Sequence, residues 1–290
     1  MFETKAWPLG NQKIVDSHFH IWQLTRADYH WLTPDIIELY QDFSPQDYQH
    51  VSHPMNVEKK VVIQAAATDS ETDYLLSMAD AQGISGVVGW IDFESAREKV
   101  LKRLAQLAKQ PTFKGVRPML QDIDDSNWIL NPNFQPIFSY LHQQKLSFDA
   151  LVRTSQLSAI NTLARQYPTL KIVIDHCAKP NIADNEFDEW AQRISAFVAL
   201  ENVFIKVSGL TLEANEHQQH AEDFEAYFKH VYQTFGASRM MWGSDWPVLN
   251  LKSNYSDWMQ ICQTLTKPFS PQELEDFWSA SATKFYNLGK

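Results

Sequence analysis

Two histidines stand two residues apart in the segment Asp16–His20, at the end of an apolar run. Side chains of a β-strand alternate between its two faces, so His18 and His20 point to the same side. Two neutral imidazoles placed side by side can bind a divalent ion or hydrogen-bond a substrate. The pair alone is equally compatible with a structural role, and it becomes informative only with the residues that follow.

Two further polar residues end apolar runs later in the chain. His176 ends the run that begins at Ile172, and Asp245 ends the run that begins at Met241. A carboxylate at such a position could ligate a metal ion or take a proton from water. The alternative role for Asp245 is a helix cap or a turn.

A permanent cation, Arg117, follows the run that begins at Phe113. Its guanidinium offers five donors and stays protonated, so it suits a lactone carbonyl, a developing oxyanion or a carboxylate. An exposed salt bridge is the alternative. Other polar residues near strand ends are weaker candidates, because the sequence does not determine whether their side chains point into or out of the barrel. They are Gln64, Asp92, Asp149, Arg153, Lys206 and Ser208.

Eight short apolar or β-branched runs carry these residues, with amphipathic stretches between them. This alternation is typical of βα units around a parallel sheet, and eight strands close a barrel. The runs lack polar alternation, as expected for strands covered on both faces. The predicted strands are Ile14–His20, Val61–Ala66, Val87–Asp92, Phe113–Pro118, Ser147–Val152, Lys171–His176, Val203–Ser208 and Met240–Asp245.

Helical periodicity predicts the connections between the strands. We therefore predict an α/β fold, a (β/α)8 TIM barrel, as a single domain over residues 1–290 with its core in 14–287. In such barrels the active site lies at the C-terminal ends of the strands, where the candidate residues fall. The predicted helices are Glu94–Lys109, Pro136–Gln144, Gln156–Gln166, Phe187–Ala199, Ala221–Phe235 and a last one near Pro271–Tyr286.

About forty residues separate the first predicted strand from the second, which is long for a βα connection. Their aromatic content argues against disorder, because disordered segments are poor in aromatics. Aromatic rings pack against the apolar face of a sugar, which makes Trp31 a candidate substrate contact; anchoring of the loop is the alternative. The aromatic residues of this loop include Trp22, Tyr29, Trp31, Tyr40, Phe43 and Tyr48.

Charge and cysteine content exclude several classes of protein. With 25 Lys+Arg against 35 Asp+Glu the formal net charge is −10, the opposite of a nucleic-acid-binding or anionic-membrane-binding surface. The 2 cysteines, Cys177 and Cys262, form no CxxC pair or disulfide framework, which fits a reducing compartment. No signal peptide or apolar membrane span is recognisable. We expect a cytoplasmic protein, either a monomer or a homo-oligomer.

Taken together, these residues resemble the amidohydrolase superfamily, with HxH on the first strand, His after the sixth and Asp after the eighth. More narrowly, the segments IVDSHFHIW, FKGVRPMLQDIDDSNWIL, VIDHCAKP and MMWGSDWPVLNL resemble the branch of lactonases that open L-fucono- and L-rhamnono-lactones. The likeness runs in order through nearly all of residues 14–287. It implies a hydrolase that opens a small sugar lactone with water.

The resemblance implies a role for each candidate residue. Asp245 would act as the general base, with His176 and Arg117 as the other catalytic residues that stabilise the oxyanion. The implied substrate contacts are His18, His20, Trp31, Gln64 and Arg153.

The resemblance also implies a limit on metal content. Members with two bridged metal ions carry a lysine or glutamate after strand four and a histidine on strand five. Here Arg117 and the segment Phe148–Val152 stand at those places. We therefore expect at most one divalent ion, zinc first, held by His18, His20 and Asp245, and the resemblance leaves open whether catalysis needs it.

Two other functions remain as alternatives. Sister members of the branch hydrolyse a pyrone dicarboxylate lactone or decarboxylate aromatic acids, so a metal-dependent decarboxylase on the same barrel is one. A catalytically inactive sugar-binding barrel is the other, although a binding protein has no need of a water-activating carboxylate.

Overall fold

Eight parallel strands form one barrel in the computed structural model, which describes residues 12–79 and 81–289. Each strand pairs with the next in chain order. A parallel bridge between Phe19 of the first strand and Trp246, which follows the last strand, closes the ring, so the predicted TIM barrel is confirmed. The strands are β1 (Ile14–Phe19), β2 (Val57–Ile63), β3 (Gly86–Gly89), β4 (Phe113–Val116), β5 (Ser147–Ala150), β6 (Ile172–Ile174), β7 (Val203–Val207) and β8 (Met240–Trp242).

Every strand ends one to three residues earlier than the sequence pattern predicts. β6 ends at Ile174 and β8 at Trp242, so His176 and Asp245 follow the strands and do not lie within them. The apolar runs extend beyond the strands because the chain stays buried after the last hydrogen bond of the sheet. There the backbone leaves the sheet in a turn, with φ of 52° at His176 and 59° at Asp245. The predicted strand ends were therefore wrong, and the turns place the polar side chains at the rim.

Helices connect the strands around the outside of the barrel. The predicted helix Ala221–Phe235 is confirmed to the residue, and the others shift by up to four residues at an end. Three helices were missed, α1, α2 and α8. The helices are α1 (Pro45–Ser52), α2 (Asp69–Ala79), α3 (Arg97–Leu107), α4 (Gln135–Gln143), α5 (Leu157–Gln166), α6 (Phe187–Ser195), α7 (Ala221–Phe235), α8 (Tyr255–Leu265), α9 (Pro271–Glu275) and, after a π-helical turn at Asp276–Ala280, α10 (Ser281–Phe285).

The barrel interior is apolar at the end opposite the candidate residues. Inward side chains such as Val15, Val61 and Met241 pack there against Phe285, the last residue of α10, and against Leu288, which follows that helix. Because this end is filled with hydrocarbon, polar groups gather in the middle and at the C-terminal end of the strands. Among the described helices, none combines the length and the apolar character needed to cross a bilayer.

Candidate active site

Three imidazoles and one carboxylate meet at the C-terminal end of the barrel. Nε2 of His18 lies 3.1 Å from Nε2 of His20, and Oδ1 of Asp245 lies 3.6 Å from the first nitrogen and 3.3 Å from the second. Nδ1 of His176 is 3.9 Å from Oδ2 of Asp245. All four residues are at most 4% exposed. The structure thus brings together four of the side chains that the sequence singled out.

An unusual backbone turn positions His176. Four consecutive residues, 176 to 179, have φ between 51° and 60°. This left-handed conformation costs an L-residue about 1–2 kcal/mol, so the surrounding contacts must hold it. The indole nitrogen of Trp190 in α6 donates to the carbonyl oxygen of Cys177 at 2.7 Å, and Thr154 donates to the carbonyl of Ala178 at 3.4 Å.

Two glycines make room for the side chains of the candidate site. A Cβ atom at Gly209, which has φ +65°, would lie 2.8 Å from Nδ1 of His176 and 3.2 Å from Oδ2 of Asp245. A Cβ at Gly243 would lie 2.8 Å from Cβ of His18. The sequence analysis missed Gly209, although its position just after an apolar run was a usable signal.

The site is electrostatically arranged to keep Asp245 ionised. Burial alone would raise the pKa of this carboxyl, but His176, His20 and His18 outweigh burial and hold its pKa below the usual range. Burial lowers the pKa of His176 to about 4, so this ring is neutral at pH 7. Burial and the charge of Lys206 also lower the pKa of His18 well below its usual value.

A buried lysine lies beneath the imidazoles. Nζ of Lys206 is 2.7 Å from Oδ2 of Asp149, 2.9 Å from Oδ1 of Asp175 and 3.2 Å from Nδ1 of His18, and all four residues are fully buried. The hydroxyl of Tyr286 also donates to Asp149. The sequence left Asp149 and Lys206 without a role and overlooked Asp175.

Both carboxylates depend on Lys206. Burial would raise the pKa of Asp175, but Lys206, His18 and Arg117 outweigh it and lower that pKa well below the usual range. For Asp149, burial prevails and its pKa is raised despite Lys206. The lysine is thus the central countercharge of the barrel interior.

Arg117 and Gln64, which follow β4 and β2, hydrogen-bond to each other beside the buried Lys206 and its carboxylates. Nε2 of Gln64 donates to the carbonyl of Arg117 at 2.8 Å, Arg117 donates back to the carbonyl of Gln64, and Nη1 of Arg117 is 3.5 Å from Oδ2 of Asp175. Nε of Arg117 and Oε1 of Gln64 are buried without a hydrogen-bond partner in residues 12–79 and 81–289. The described residues thus leave these two buried polar atoms unsatisfied.

The remaining two candidates lie further out. Arg153 is exposed in the loop after β5, and its guanidinium makes no hydrogen bond or ion pair within the described part of the chain. Trp31 is 36% exposed; its indole nitrogen donates to the carbonyl of Ala65 at 2.7 Å, and its ring meets Trp22 edge-on at 5.6 Å. The structure does not bring either side chain into the buried cluster.

The buried carboxylate of Glu71 fastens the loop that carries Trp31. It accepts hydrogen bonds from the hydroxyl of Tyr29 at 2.8 Å and from the backbone N–H of Ala65 at 2.9 Å. Burial raises the pKa of Glu71 to about 7 although Arg26 lies 3.4 Å away. The anchor of the loop therefore titrates near neutrality.

We predict that Glu71→Gln changes how stability depends on pH. The pKa of Glu71 in the folded protein lies above the ordinary glutamate value of 4.5, so the folded state holds an extra proton between about pH 4.5 and 7. The free energy of unfolding of the wild-type protein therefore falls as pH rises through that window. Glutamine stays neutral at every pH. The free energy of unfolding of the variant minus that of wild type should therefore be larger at pH 8 than at pH 4.5, by up to about 3 kcal/mol. Urea unfolding from pH 4.5 to 8 measures the difference, and a difference independent of pH would contradict the prediction.

The donor set fits one divalent ion. Ligands of a tetrahedral zinc site lie about 3.3 Å apart, close to the spacings among His18, His20 and Asp245. Nδ1 of His20 donates to the carbonyl of Ile63 at 2.8 Å, which leaves its Nε2 lone pair free. His18, His176 and Asp245 also offer ligand atoms within 4.8 Å of one another, so His176 joins the predicted ligand set.

Comparison with known proteins agrees with this geometry. The sequence profile of the amidohydrolase family matches residues 15–288. An L-fucono-1,5-lactonase from Burkholderia ambifaria is 37% identical over 281 residues, which cover 95% of this chain and 96% of that protein. The crystal structure of an amidohydrolase from Burkholderia multivorans with bound zinc is 27% identical, with a TM-score of 0.89, over 95% of this chain and 99% of that one.

The decarboxylase alternative finds support at the level of the fold alone. The 5-carboxyvanillate decarboxylase of Sphingomonas paucimobilis is 12% identical, with a TM-score of 0.65, over 96% of this chain and 100% of that one.

Proposed function

This chain belongs to the amidohydrolase family, and on that premise we propose that it opens a sugar-acid lactone of the L-fucono or L-rhamnono type with water. The observation that carries the proposal is the buried carboxylate of Asp245, whose pKa is held below its usual range and whose oxygens lie 3.6, 3.3 and 3.9 Å from ring nitrogens of His18, His20 and His176. The relative named as an L-fucono-1,5-lactonase, 37% identical over almost the whole chain, supports the substrate class.

In the proposed reaction Asp245 accepts a proton from water while the water oxygen forms a bond to the lactone carbonyl carbon. The bond from that carbon to the ring oxygen then breaks, and the proton passes from Asp245 to the ring oxygen. The product is a hydroxy acid, which releases its own proton at neutral pH. Asp245 supports this step because its neighbouring imidazoles keep it ionised and aprotic before water binds.

The negative charge that develops on the carbonyl oxygen requires hydrogen-bond donors. Nε of Arg117 suits this role because it is buried and has no partner among the residues described. His176 is the second donor in the proposal: its Nδ1 lies 2.9 Å from the hydroxyl of Ser208, which orients the ring. A divalent ion held by His18, His20 and Asp245, with His176 left to donate, would supply a further positive charge near the same oxygen.

We expect a panel of sugar lactones to show hydrolysis of L-fucono-1,5-lactone or an L-rhamnonolactone, measured as acid release with a pH indicator. No CO2 should appear, which separates a lactonase from a decarboxylase. After treatment with a chelator we expect turnover to fall by at most about 10²–10³-fold, the cost of losing one oxyanion stabiliser.

Acid release from none of the lactones would overturn the proposed function. Complete loss of activity after chelation, restored by zinc, would contradict the expected partial dependence on metal while leaving the reaction class intact.

A further inference from the structure

A cavity of about 510 Å³ opens beside the catalytic centre at the C-terminal face of the barrel. Its walls come from the loop after β1 and from the segments that follow β2, β3 and β4. Because these are the loops that form the substrate sites of TIM barrels, the position alone makes the cavity a candidate subsite. The catalytic side chains His18, His20, His176 and Asp245 lie outside its lining.

The cavity adjoins the pair Gln64 and Arg117, which stands beside the catalytic centre. Ala65 and Pro118 line it and directly follow Gln64 and Arg117, and Nε2 of Gln64 lies 3.2 Å from Sδ of Met119, another lining residue. Gln64 is 0% exposed, and its Oε1 has no partner in the described ranges 12–79 and 81–289. This cavity is therefore the neighbouring space, on the side of β2 and β4, for a molecule bound at the centre.

Three tryptophans form apolar walls in the cavity. Trp31 is held by its hydrogen bond to the carbonyl of Ala65, and Trp128 by a 3.0 Å hydrogen bond from its indole nitrogen to Glu94. Trp128 also packs on Phe134 with ring centroids 4.6 Å apart. With Trp90 these rings offer fixed faces of the kind that stack on the C–H face of a sugar.

The polar part of the lining is acidic. Asp28, Asp92, Glu94 and Asp122 line the cavity together with the exposed His30, and no lysine or arginine of the described residues does. Asp28 is neutralised by Arg26 at 2.6 Å. For the other three, no lysine or arginine nitrogen lies within 4.0 Å among the described residues. Carboxylates accept hydrogen bonds from hydroxyl groups and repel anions.

We propose that this cavity is the subsite for the uncharged, hydroxyl-bearing end of the lactone, and that Asp92, Glu94 and Asp122 make the enzyme reject lactones that carry a second carboxylate. The inference rests on the proposed lactone hydrolysis and adds to it the residues that select the substrate class. The tryptophans bind the carbon face of the sugar, and the carboxylates accept from its hydroxyls.

The test compares two lactones that differ at one carbon. L-Galactonolactone ends in a hydroxymethyl group, and galactarolactone carries a carboxylate at the same carbon. We expect wild type to prefer the neutral lactone by about tenfold or more in kcat/KM, mainly through KM, because like charges repel at short range. Raising the salt concentration to 1 M, where the Debye length is about 3 Å, should narrow this preference.

The variant Asp92→Asn/Glu94→Gln/Asp122→Asn should reduce the ratio of kcat/KM for L-galactonolactone to that for galactarolactone about tenfold. We expect KM to fall for galactarolactone and to rise for L-galactonolactone. The matched control Glu201→Gln/Glu225→Gln/Glu275→Gln removes the same three charges from exposed sites outside the cavity and should retain the wild-type preference. An equal change in both triple variants would mean that the overall charge is responsible, and it would overturn the assignment.

The aromatic wall is tested separately at Trp90. Trp90→Leu should raise KM for L-galactonolactone by about three- to tenfold with little change in kcat, and Trp90→Phe, which keeps an aromatic face, should restore most of the affinity. Equal KM values for the two variants would contradict stacking at this wall.

The experiment separates failure of the subsite from failure of the proposed function. If wild type hydrolyses the neutral lactone and the triple variants behave alike, the subsite is wrong and the lactonase proposal stands. If wild type hydrolyses neither lactone, calorimetric titration of both into Asp245→Asn measures the same preference without turnover. A preference absent there, or unchanged by the cavity substitutions, would again overturn the subsite.

Discussion

Asp245→Asn is expected to fold as wild type does and to lose about 10²–10⁴-fold in kcat on the best lactone, the usual contribution of a general base. The amide has nearly the shape of the carboxylate and can still contact His20, which lies 3.3 Å from Oδ1. What it lacks is the ability to take a proton from water. Initial rates of acid release, with circular dichroism to confirm folding, measure the effect.

A matched control for this variant is Asp124→Asn, which removes an exposed carboxylate from a loop. It should retain wild-type turnover. If Asp245→Asn also retained the wild-type kcat/KM, Asp245 would not be the base, and the proposed order of proton transfers would have to be abandoned.

Lys206→Met is expected to destabilise the fold by about 3–5 kcal/mol, because removing one partner of a buried ion pair leaves an uncompensated charge. Methionine has a similar length but cannot neutralise Asp149 or Asp175, whose carboxylates lie 2.7 Å and 2.9 Å from Nζ in the wild-type protein. Urea unfolding followed by tryptophan fluorescence measures the loss.

Two further variants make this result specific. Lys60→Met replaces a half-buried lysine of β2, which makes no ion pair among the described residues, and should cost less than about 1 kcal/mol. Lys206→Met/Asp149→Asn removes one of the two orphaned charges and should be more stable than Lys206→Met. If Lys206→Met were no less stable than Lys60→Met, the buried carboxylates of Asp149 and Asp175 would not depend on the ammonium of Lys206.

The catalytic cluster was within reach of the sequence because each of its members leaves a local signal. His18 and His20 share a face through the period of two, and His176 and Asp245 each follow a buried run. The position of strand ends in a closed barrel then places them at one rim. The strand ends themselves were misjudged because the turns after β6 and β8 remain buried.

The layer beneath the cluster left no such signal. Lys206, Asp149 and Tyr286 come from β7, β5 and the residue after the C-terminal helix, and their contacts form only in the closed barrel. Sequence spacing cannot show that a charged strand residue such as Lys206 faces inward when its countercharge Asp149 lies 57 residues away.

The cavity beside the centre was not predicted, although two of its lining residues were singled out from the sequence. Trp31 was identified through the aromatic loop that carries it, and Asp92 was noted without a role. Trp90, Trp128 and Asp122 come from separate loops and meet only when β3 and β4 stand side by side.

The four left-handed residues from 176 to 179 bear on how far this barrel can be redesigned. The indole of Trp190 in α6 hydrogen-bonds to the carbonyl of Cys177 within this turn. If β6 and the turn were transplanted to another barrel, α6 would have to be transplanted with them to keep the imidazole of His176 in position. Residues 90–94 and 118–128, which supply much of the cavity wall, contain no positive φ angle. New specificities are therefore best sought by exchanging those two segments while the turn and its helix stay intact.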